Sequence, residues 1–184
     1  MKEVGNLSYL KLAIENFKSI KNQAERAMEQ LDLEQLHYSP NEDTNSIVVI
    51  AKHMSGNLKS RFRDFLTTDG EKPDRNRDGE FEGAFSTRED LLFHWNEGWN
   101  VLFETLSQLA EKDLEQTVYI RKEPHFAIEA IQRQIVHQAA HGGQIVYIAK
   151  MIKKENWKTL SIPKGHSQQF NEKMMEISKK EETQ

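Results

Sequence analysis

The 184-residue sequence contains no cysteine, little proline or glycine, and no long apolar run. The absence of cysteine excludes disulfide bonds and thiolate metal ligands, and it fits a reducing compartment. Only 4 prolines and 9 glycines interrupt the chain, which leaves room for long helices. No apolar run approaches the roughly 20 residues of a membrane span. The first residues also lack the features of a signal peptide. We therefore expect a soluble cytoplasmic protein with no membrane partner.

The sequence also lacks a strong charge of one sign. It has 25 basic and 29 acidic residues, which are mixed throughout and give a net charge of -4. A nucleic-acid-binding protein usually carries a broad basic surface, and this composition does not supply one. The length suits one domain with a substantial core. We expect that domain to span residues 1–171, with a charged and frayed tail at residues 172–184.

Apolar residues that recur at intervals of three and four predict four long helices. The predicted helices run from Asn6 to Leu31, from Asn45 or Ser46 to Thr67, from Ser86 to Leu109, and from Phe126 to Lys153. The sequence from Ser86 to Glu89 has the pattern of a capping box. A short β-like run, TVYI, lies between the last two helices. We therefore predict an all-α fold, an antiparallel four-helix bundle with a long second connection and a short C-terminal extension.

Three histidines are predicted to face each other across two of these helices. His137 and His141 are one turn apart on the inner edge of the last helix, so their imidazoles lie on the same face. His53 occupies a similar edge on the second helix. Three neutral imidazoles can hold a metal ion and leave one coordination position for water or substrate. The alternative is three partly buried histidines that hydrogen-bond to neighbouring groups.

Two familiar metal enzymes do not fit these residues. A zincin requires a glutamate directly after the first histidine, and that position is Gln138. A di-iron bundle requires two Glu-x-x-His pairs, and the chain offers one, Glu34 with His37. His94 borders an apolar face and is either a fourth ligand or a packing residue. The remaining histidines, His125 and His166, have no predicted partner.

The long charged connection from Asp69 to Phe85 is mobile or functional, because connections of this length are uncommon. Its sequence resembles the start of a calcium loop at Asp74, Asn76, Asp78 and Gly79. However, Phe85 stands where a bidentate glutamate is required. Two other interpretations stay open. The segment is a solvated turn with internal Asp–Arg pairs, or it forms an anion-binding lip. The lip would comprise Arg61, Arg63, Arg75 or Arg77.

The sequence resembles the DinB-like superfamily of metal-binding four-helix bundles, and within it a subgroup of unknown function. The resemblance extends to about Asn171 and is strongest in three segments. These are KHMSGNLKSRFRDFLTTDGEKPDRNRDGEFE, HQAAHGGQIVYIAK and WKTLSIPKGHSQQFN. In that superfamily a histidine on the second helix and a His-x-x-x-His pair on the last bundle helix bind one divalent ion. The resemblance assigns these roles to His53, His137 and His141.

Relatives in that superfamily include transferases and isomerases that use thiols such as bacillithiol, mycothiol or glutathione. The resemblance implies a metal-dependent S-transferase that acts with such a thiol on a small electrophile. Zinc or nickel is the expected ion, and a homodimer is the expected assembly. We expect Asn57 and Arg61, on the same edge as His53, to orient the ligand. Two alternatives are a metal-dependent hydrolase and a non-catalytic bundle that binds a small ligand or a protein partner during stress.

Overall fold

In the computed structural model, the described residues are 8–83 and 85–181. Within them the chain is mostly helical and contains one two-stranded sheet. The helices are α1 (Tyr9–Met28), α2 (Leu33–His37), α3 (Ile47–Phe62), α4 (Arg88–Gln108), α5 (Ala127–Lys153) and α6 (Ser167–Glu181). The strands are β1 (Thr117–Ile120) and β2 (Glu123–Phe126). None of the described helices is both long and apolar enough to cross a membrane.

Hydroxyl side chains cap three of the long helices, α1, α3 and α4. Ser8 caps α1, and Ser46, one of the two predicted starting residues, caps α3, where its Oγ accepts the Val49 amide at 3.4 Å. The predicted start of the first helix at Asn6 lies outside the described residues. The observed cap of α4 is Thr87, one residue after Ser86, where the sequence predicted a capping box to begin. Thr87 has the extended backbone of a cap, and its Oγ1 accepts the Asp90 amide at 3.1 Å.

Helix α3 ends earlier than predicted, at Phe62 and not at Thr67. Asp64 adopts a positive φ of 51°, a conformation that interrupts a right-handed helix. The resulting turn brings the ring of Phe65 onto Phe62, with centroids 5.3 Å apart. Burial of this second aromatic ring therefore accompanies the loss of the last predicted helical turn.

The predicted strand Thr117–Ile120 is present, and it pairs with an antiparallel strand that the sequence did not reveal. Arg121 and Lys122 form the turn with positive φ values of 55° and 66°. The carboxylate of Asp69 accepts their two backbone amides at 2.9 and 2.7 Å. The amide of Gly70 also donates to the Tyr119 carbonyl at 2.7 Å. These bonds fix the start of the long charged connection against the hairpin.

The long helices pack chiefly in two pairs, α3 with α4 and α1 with α5. Gly98 permits the first pair to approach closely, because a Cβ there would lie 2.7 Å from the Ser55 carbonyl oxygen. Gly142 serves the second pair, where a Cβ would meet Ile20 at 3.2 Å. Contacts between α3 and α5 and between α1 and α4 join the pairs. The largest fully buried side chains include Phe17, Met54, Phe62, Trp95 and Trp99.

The C-terminal segment is bonded to the end of α1, where Arg26 and Gln30 donate to its backbone carbonyls, before it becomes helical again. Trp157 and Leu160 pack against the core, as the apolar group in the sequence suggested, whereas Ile162 is exposed. Residues 172–181 of the predicted tail belong to α6, and the rest of that tail lies outside the described residues. Phe170, Met174 and Ile177 recur at helical spacing on α6, and their side chains remain exposed.

Candidate metal centre

Helices α3 and α5 bring His53, His137 and His141 together. One ligand atom from each imidazole can be chosen so that all three lie within 4.8 Å of one another. The ring centroids of the three pairs are 4.6 to 5.3 Å apart. His53 is buried and the other two are partly buried. Among the described residues, no other group of three histidine or acidic side chains converges in this way.

The distance between two of the imidazole nitrogens already suits a tetrahedral metal ion. The Nε2 atoms of His53 and His137 are 3.4 Å apart. A zinc ion binds imidazole nitrogen at about 2.0–2.1 Å, so two tetrahedral nitrogen ligands lie about 3.3 Å from each other. The donor set therefore fits a divalent ion with three protein ligands and one open position. The other two distances between ligand atoms are no longer than 4.8 Å.

Hydrogen bonds at the outer nitrogens orient two of the rings. The Nδ1 of His53 lies 2.9 Å from Glu80 Oε2, and the Nδ1 of His141 lies 2.8 Å from Gln144 Oε1. A proton on each Nδ1 satisfies both oxygens and leaves the Nε2 lone pair free for a metal. The Nδ1 of His137 is buried and has no hydrogen-bond partner among the described residues.

Glu80 is the residue of this centre that sequence reasoning missed. It lies in a short 3-10 turn, Asp78–Glu80, and its carboxylate is buried beside α3. Arg75 holds it with bonds from Nε at 2.8 Å and from Nη2 at 2.9 Å. Gly56 provides the space, because a Cβ at that position would overlap the Glu80 carboxylate. A glycine three residues after His53 was the only local signal for such a neighbour.

The same turn covers His53 with an aromatic ring. The centroid of Phe81 lies 4.8 Å from that of His53, with 32° between the planes. Arg77 in turn lies over Phe81, 5.4 Å from its centroid. The long charged connection thus supplies both a carboxylate and a cover to the histidine cluster. It is a structural part of the centre and not only a linker.

Burial and positive neighbours favour the neutral form of two of the imidazoles, His137 and His141. Burial, together with charge repulsion from His141, His53, Arg61 and Arg75, lowers the pKa of His137 to about 4. The pKa of His141 is also lowered, chiefly by burial. Burial alone would raise the pKa of Glu80, but hydrogen bonds from His53 and Arg75 outweigh it and lower that pKa. Neutral imidazoles beside an ionised carboxylate are the protonation states that a metal ion requires.

The two predicted ligand-orienting residues lie on the same helix as His53. Asn57 is buried, and its Oδ1 has no hydrogen-bond partner among the described residues. The guanidinium of Arg61 is buried and donates to the Gly70 carbonyl and to Glu71 Oε2, the latter at 3.1 Å. Burial lowers the pKa of Arg61. Their contact with a ligand stays a prediction.

The structure places His94 away from the cluster. Its side chain is half-exposed, stacks on Phe85 with centroids 4.9 Å apart, and lies 3.3 Å from Glu97. It is therefore a packing residue at the rim and not a fourth ligand. His37 bonds to the Phe85 carbonyl at 3.0 Å. His166 bonds to Gln169, and His125 has a buried Nε2 without a partner among the described residues.

The calcium-like sequence does not form a calcium site. Asp74 pairs with Arg63, and the Asn76 side chain accepts the Gly79 amide at 3.0 Å. Asp78 points to solvent beside Arg77. Internal Asp–Arg pairing, the plainer interpretation of this segment, is the one observed. The four arginines of the predicted lip differ in burial. The side chains of Arg61 and Arg75 are buried, whereas those of Arg63 and Arg77 are exposed.

The protein is thus a mostly helical one with a cluster of three histidines that could hold a metal ion. The chain belongs to the DUF1572 family, described as proteins of unknown function, whose model matches residues 4–166. The fold is similar to that in "Crystal structure of the conserved protein of locus from Enterococcus faecalis". That chain is 13% identical, with a TM-score of 0.65, over 80% of this chain and 98% of the other. At this identity the likeness shows the fold alone. The curated proteins contain no match.

Proposed function

We propose that the protein is a divalent-metal-binding four-helix bundle of DinB-like type. Helices α1, α3, α4 and α5 form the bundle, and His53, His137 and His141 form an open mononuclear site. The observation that supports the proposal is the convergence of three imidazole nitrogens within 4.8 Å. A three-histidine set suits zinc, nickel, cobalt or iron, and we expect zinc or nickel. The expected homodimer and cytoplasmic location belong to the same proposal.

The reaction that this site suits best is transfer of a low-molecular-weight thiol to a small electrophile. A divalent ion with an open position lowers the pKa of a thiol that binds it, which favours thiolate near neutral pH. The chain has no cysteine, so the sulfur comes from a cosubstrate. Glu80 and Gln144 hold two of the imidazoles in the orientation that presents Nε2 to the centre.

Asn57 and Arg61 are the residues proposed to orient the cosubstrate. The buried Oδ1 of Asn57 has no partner among the described residues, so it is available to accept a hydrogen bond. Arg61 uses two of its nitrogens for Gly70 and Glu71. A guanidinium carries five N–H groups, so donors remain for a polar group of the ligand.

Metal analysis tests the site directly. We expect protein purified without a histidine tag to contain about one divalent ion per chain after incubation with zinc or nickel. The substitutions His53→Ala, His137→Ala and His141→Ala should each remove it. His94→Ala is the matched control, since it deletes a rim histidine outside the cluster. Metal content below about 0.1 per chain in the wild-type protein would reject the site.

A turnover assay tests the reaction. The metal-loaded protein is incubated with a thiol and monochlorobimane, and thiol consumption is followed by fluorescence. We expect turnover that each of the three histidine substitutions abolishes and that His94→Ala retains. Turnover of esters in place of thiols would favour the alternative metal-dependent hydrolase.

A non-catalytic, metal-stabilised protein that binds a small ligand or a protein partner is the second candidate. The observation that favours it is the ion-pair network beside His53, in which Glu71 joins Arg61, Arg75 and Arg121. This network attaches the loop and the hairpin to α3 and has an evident structural role. Full metal loading without thiol or ester turnover would favour this candidate, and thiol turnover would exclude it.

A further inference from the structure

A second polar pocket lies outside the histidine cluster. It has a volume of about 270 Å³ and is formed between the C-terminal half of α3 and the loop that carries Glu80. Its charged lining comprises Lys59, Arg63, Lys72, Arg75, Asp74 and Glu80. The lining therefore has four basic and two acidic residues, although the whole chain has a net charge of -4. The pocket is a local concentration of positive charge on an acidic protein.

Three of these cations already have carboxylate partners. Lys59 pairs with Glu97 at 3.2 Å, Arg63 pairs with Asp74 at 2.5 Å, and Arg75 pairs with Glu80 at 2.8 Å. Lys72 differs from them. Its ammonium donates to Thr68 Oγ1 and to the Asp69 carbonyl, both at 2.6 Å, and both acceptors are neutral. Lys72 is therefore the cation of this lining whose bonds lack a counter-charge.

Burial makes the position of Lys72 unusual. Its residue is only 6% exposed. A buried ammonium is unfavourable unless an opposite charge compensates it. Burial lowers the pKa of Lys72 and the nearby Arg63 adds to this, while the charges of Asp64 and Asp69 only partly oppose it. An ammonium has three N–H groups, and two of them are used. A bound anion would satisfy the third donor and the charge together.

We propose that this pocket binds the phosphate or carboxylate group of a small molecule, with Lys72 as its buried cationic contact and Arg63 as its outer one. An arginine fork and a lysine ammonium are the usual pair of groups for an oxyanion. Asp74 would release Arg63 when the anion enters. The pocket does not include the metal ligands, so this inference does not depend on the proposed function.

The test is a titration of the metal-free protein at low ionic strength with inorganic phosphate, and separately with acetate, followed by amide chemical shifts. We expect saturable shifts at residues 59–63 and 72–76, with a Kd of about 1 mM or lower. Tighter binding of phosphate would identify a phosphorylated ligand, and tighter binding of acetate a carboxylate. No saturable shift at those residues up to about 10 mM of either anion would reject the proposal.

Matched variants separate a built site from general charge attraction. Lys72→Met should weaken anion binding about tenfold or more, whereas Arg77→Gln, which removes an exposed cation of the same loop, should leave it unchanged. Equal weakening by both variants would reject the site. Lys72→Met should also leave the protein folded without anion, because the loss of two hydrogen bonds to neutral acceptors is offset by the removal of a buried ammonium. If that variant does not fold, Arg63→Gln serves instead, with the same expected weakening and the same control.

Discussion

Glu80 connects the candidate metal ligands to the rest of the protein. One of its oxygens lies 2.9 Å from His53 Nδ1, and both oxygens accept bonds from Arg75. Ionised carboxylates form stronger hydrogen bonds than amides, and a carboxylate behind a metal-bound histidine raises the basicity of that ligand. Arg75 keeps the carboxylate charged and in place. Arg75 thus acts through Glu80 on the imidazole of His53, whose other nitrogen, Nε2, faces His137.

Replacing Glu80 by glutamine should therefore weaken metal binding while the three histidines remain. Loss of an outer-shell carboxylate typically reduces metal affinity about 10- to 100-fold, and we expect Glu80→Gln to fall in this range. Competition with a chromophoric chelator measures the zinc affinity. Glu82→Gln is the control, since Glu82 is an exposed residue of the same loop. Unchanged affinity in Glu80→Gln would show that this carboxylate does not tune the ligand.

The lowered pKa of His137 gives the metal-free protein a defined pH dependence. Its pKa is about 4 in the folded chain, against an ordinary value of 6.5 for histidine. Between these values the unfolded chain binds more protons, so stability is retained above about pH 6.5 and lost as pH falls toward 4. His141 shifts in the same direction. Urea unfolding of metal-free protein should show this loss, and His137→Gln should reduce it. Constant stability from pH 7 to pH 5 would contradict the assignment.

The histidines could be found from sequence because helical periodicity places residues one turn apart on one face. His137 and His141 needed only that rule, and His53 needed only the polar edge of an apolar helix. Glu80 could not be found in this way. It is 27 residues from His53 and reaches it through an irregular segment whose course depends on tertiary bonds, such as those of Asp69 to the hairpin. Periodicity carries no information about such a segment.

At the scale of elements, the contact between α3 and the turn at Asp78–Glu80 depends on one missing side chain. Gly56 leaves the space that the Glu80 carboxylate occupies. Helix interiors disfavour glycine by about 1 kcal/mol relative to alanine, so this glycine lowers the intrinsic stability of α3. In return, the loop can approach the helix closely enough for Glu80 to reach His53.

Gly56→Ala should displace Glu80 and so weaken zinc binding to the extent expected for Glu80→Gln. Gly143→Ala is the matched control on α5, because a Cβ at Gly143 meets no atom within 4 Å. That variant should keep the zinc affinity and gain up to about 1 kcal/mol in the free energy of unfolding. Zinc titration and urea unfolding of both variants measure the two effects. Wild-type affinity in Gly56→Ala would show that the loop adjusts without losing the Glu80 contact.

The ends of the elements were less predictable than their existence. The apolar periodicity of α3 continues past Phe62, but a positive φ at Asp64 and the packing of Phe65 on Phe62 end the helix there. Strand β2 was missed because its sequence, EPHF, has no alternating apolar pattern. Its pairing with β1 is instead supported by the turn that Asp69 caps. In both places a tertiary contact decides what local sequence leaves open.

At the scale of the whole molecule, the candidate centre lies between the two principal helix pairs. His53 belongs to α3, which packs mainly on α4, while His137 and His141 belong to α5, which packs mainly on α1. The direct packing of α3 on α5 is less extensive than the packing within either pair. A metal ion bound to all three histidines would therefore connect two helix pairs that pack less extensively on each other than within themselves.

Zinc should consequently stabilise the whole fold and not only the loop around the site. A ligand that binds only the folded state adds about 2.7 kcal/mol at a free concentration 100 times its Kd. We expect this increase in the free energy of unfolding for the wild-type protein, with one cooperative transition in both metal-free and metal-loaded samples. His137→Ala should lose the increase because α5 then contributes one ligand, whereas His94→Ala should keep it. A zinc-dependent increase of equal size in His137→Ala would place the stabilising metal elsewhere and remove the histidine centre as the link between the helix pairs.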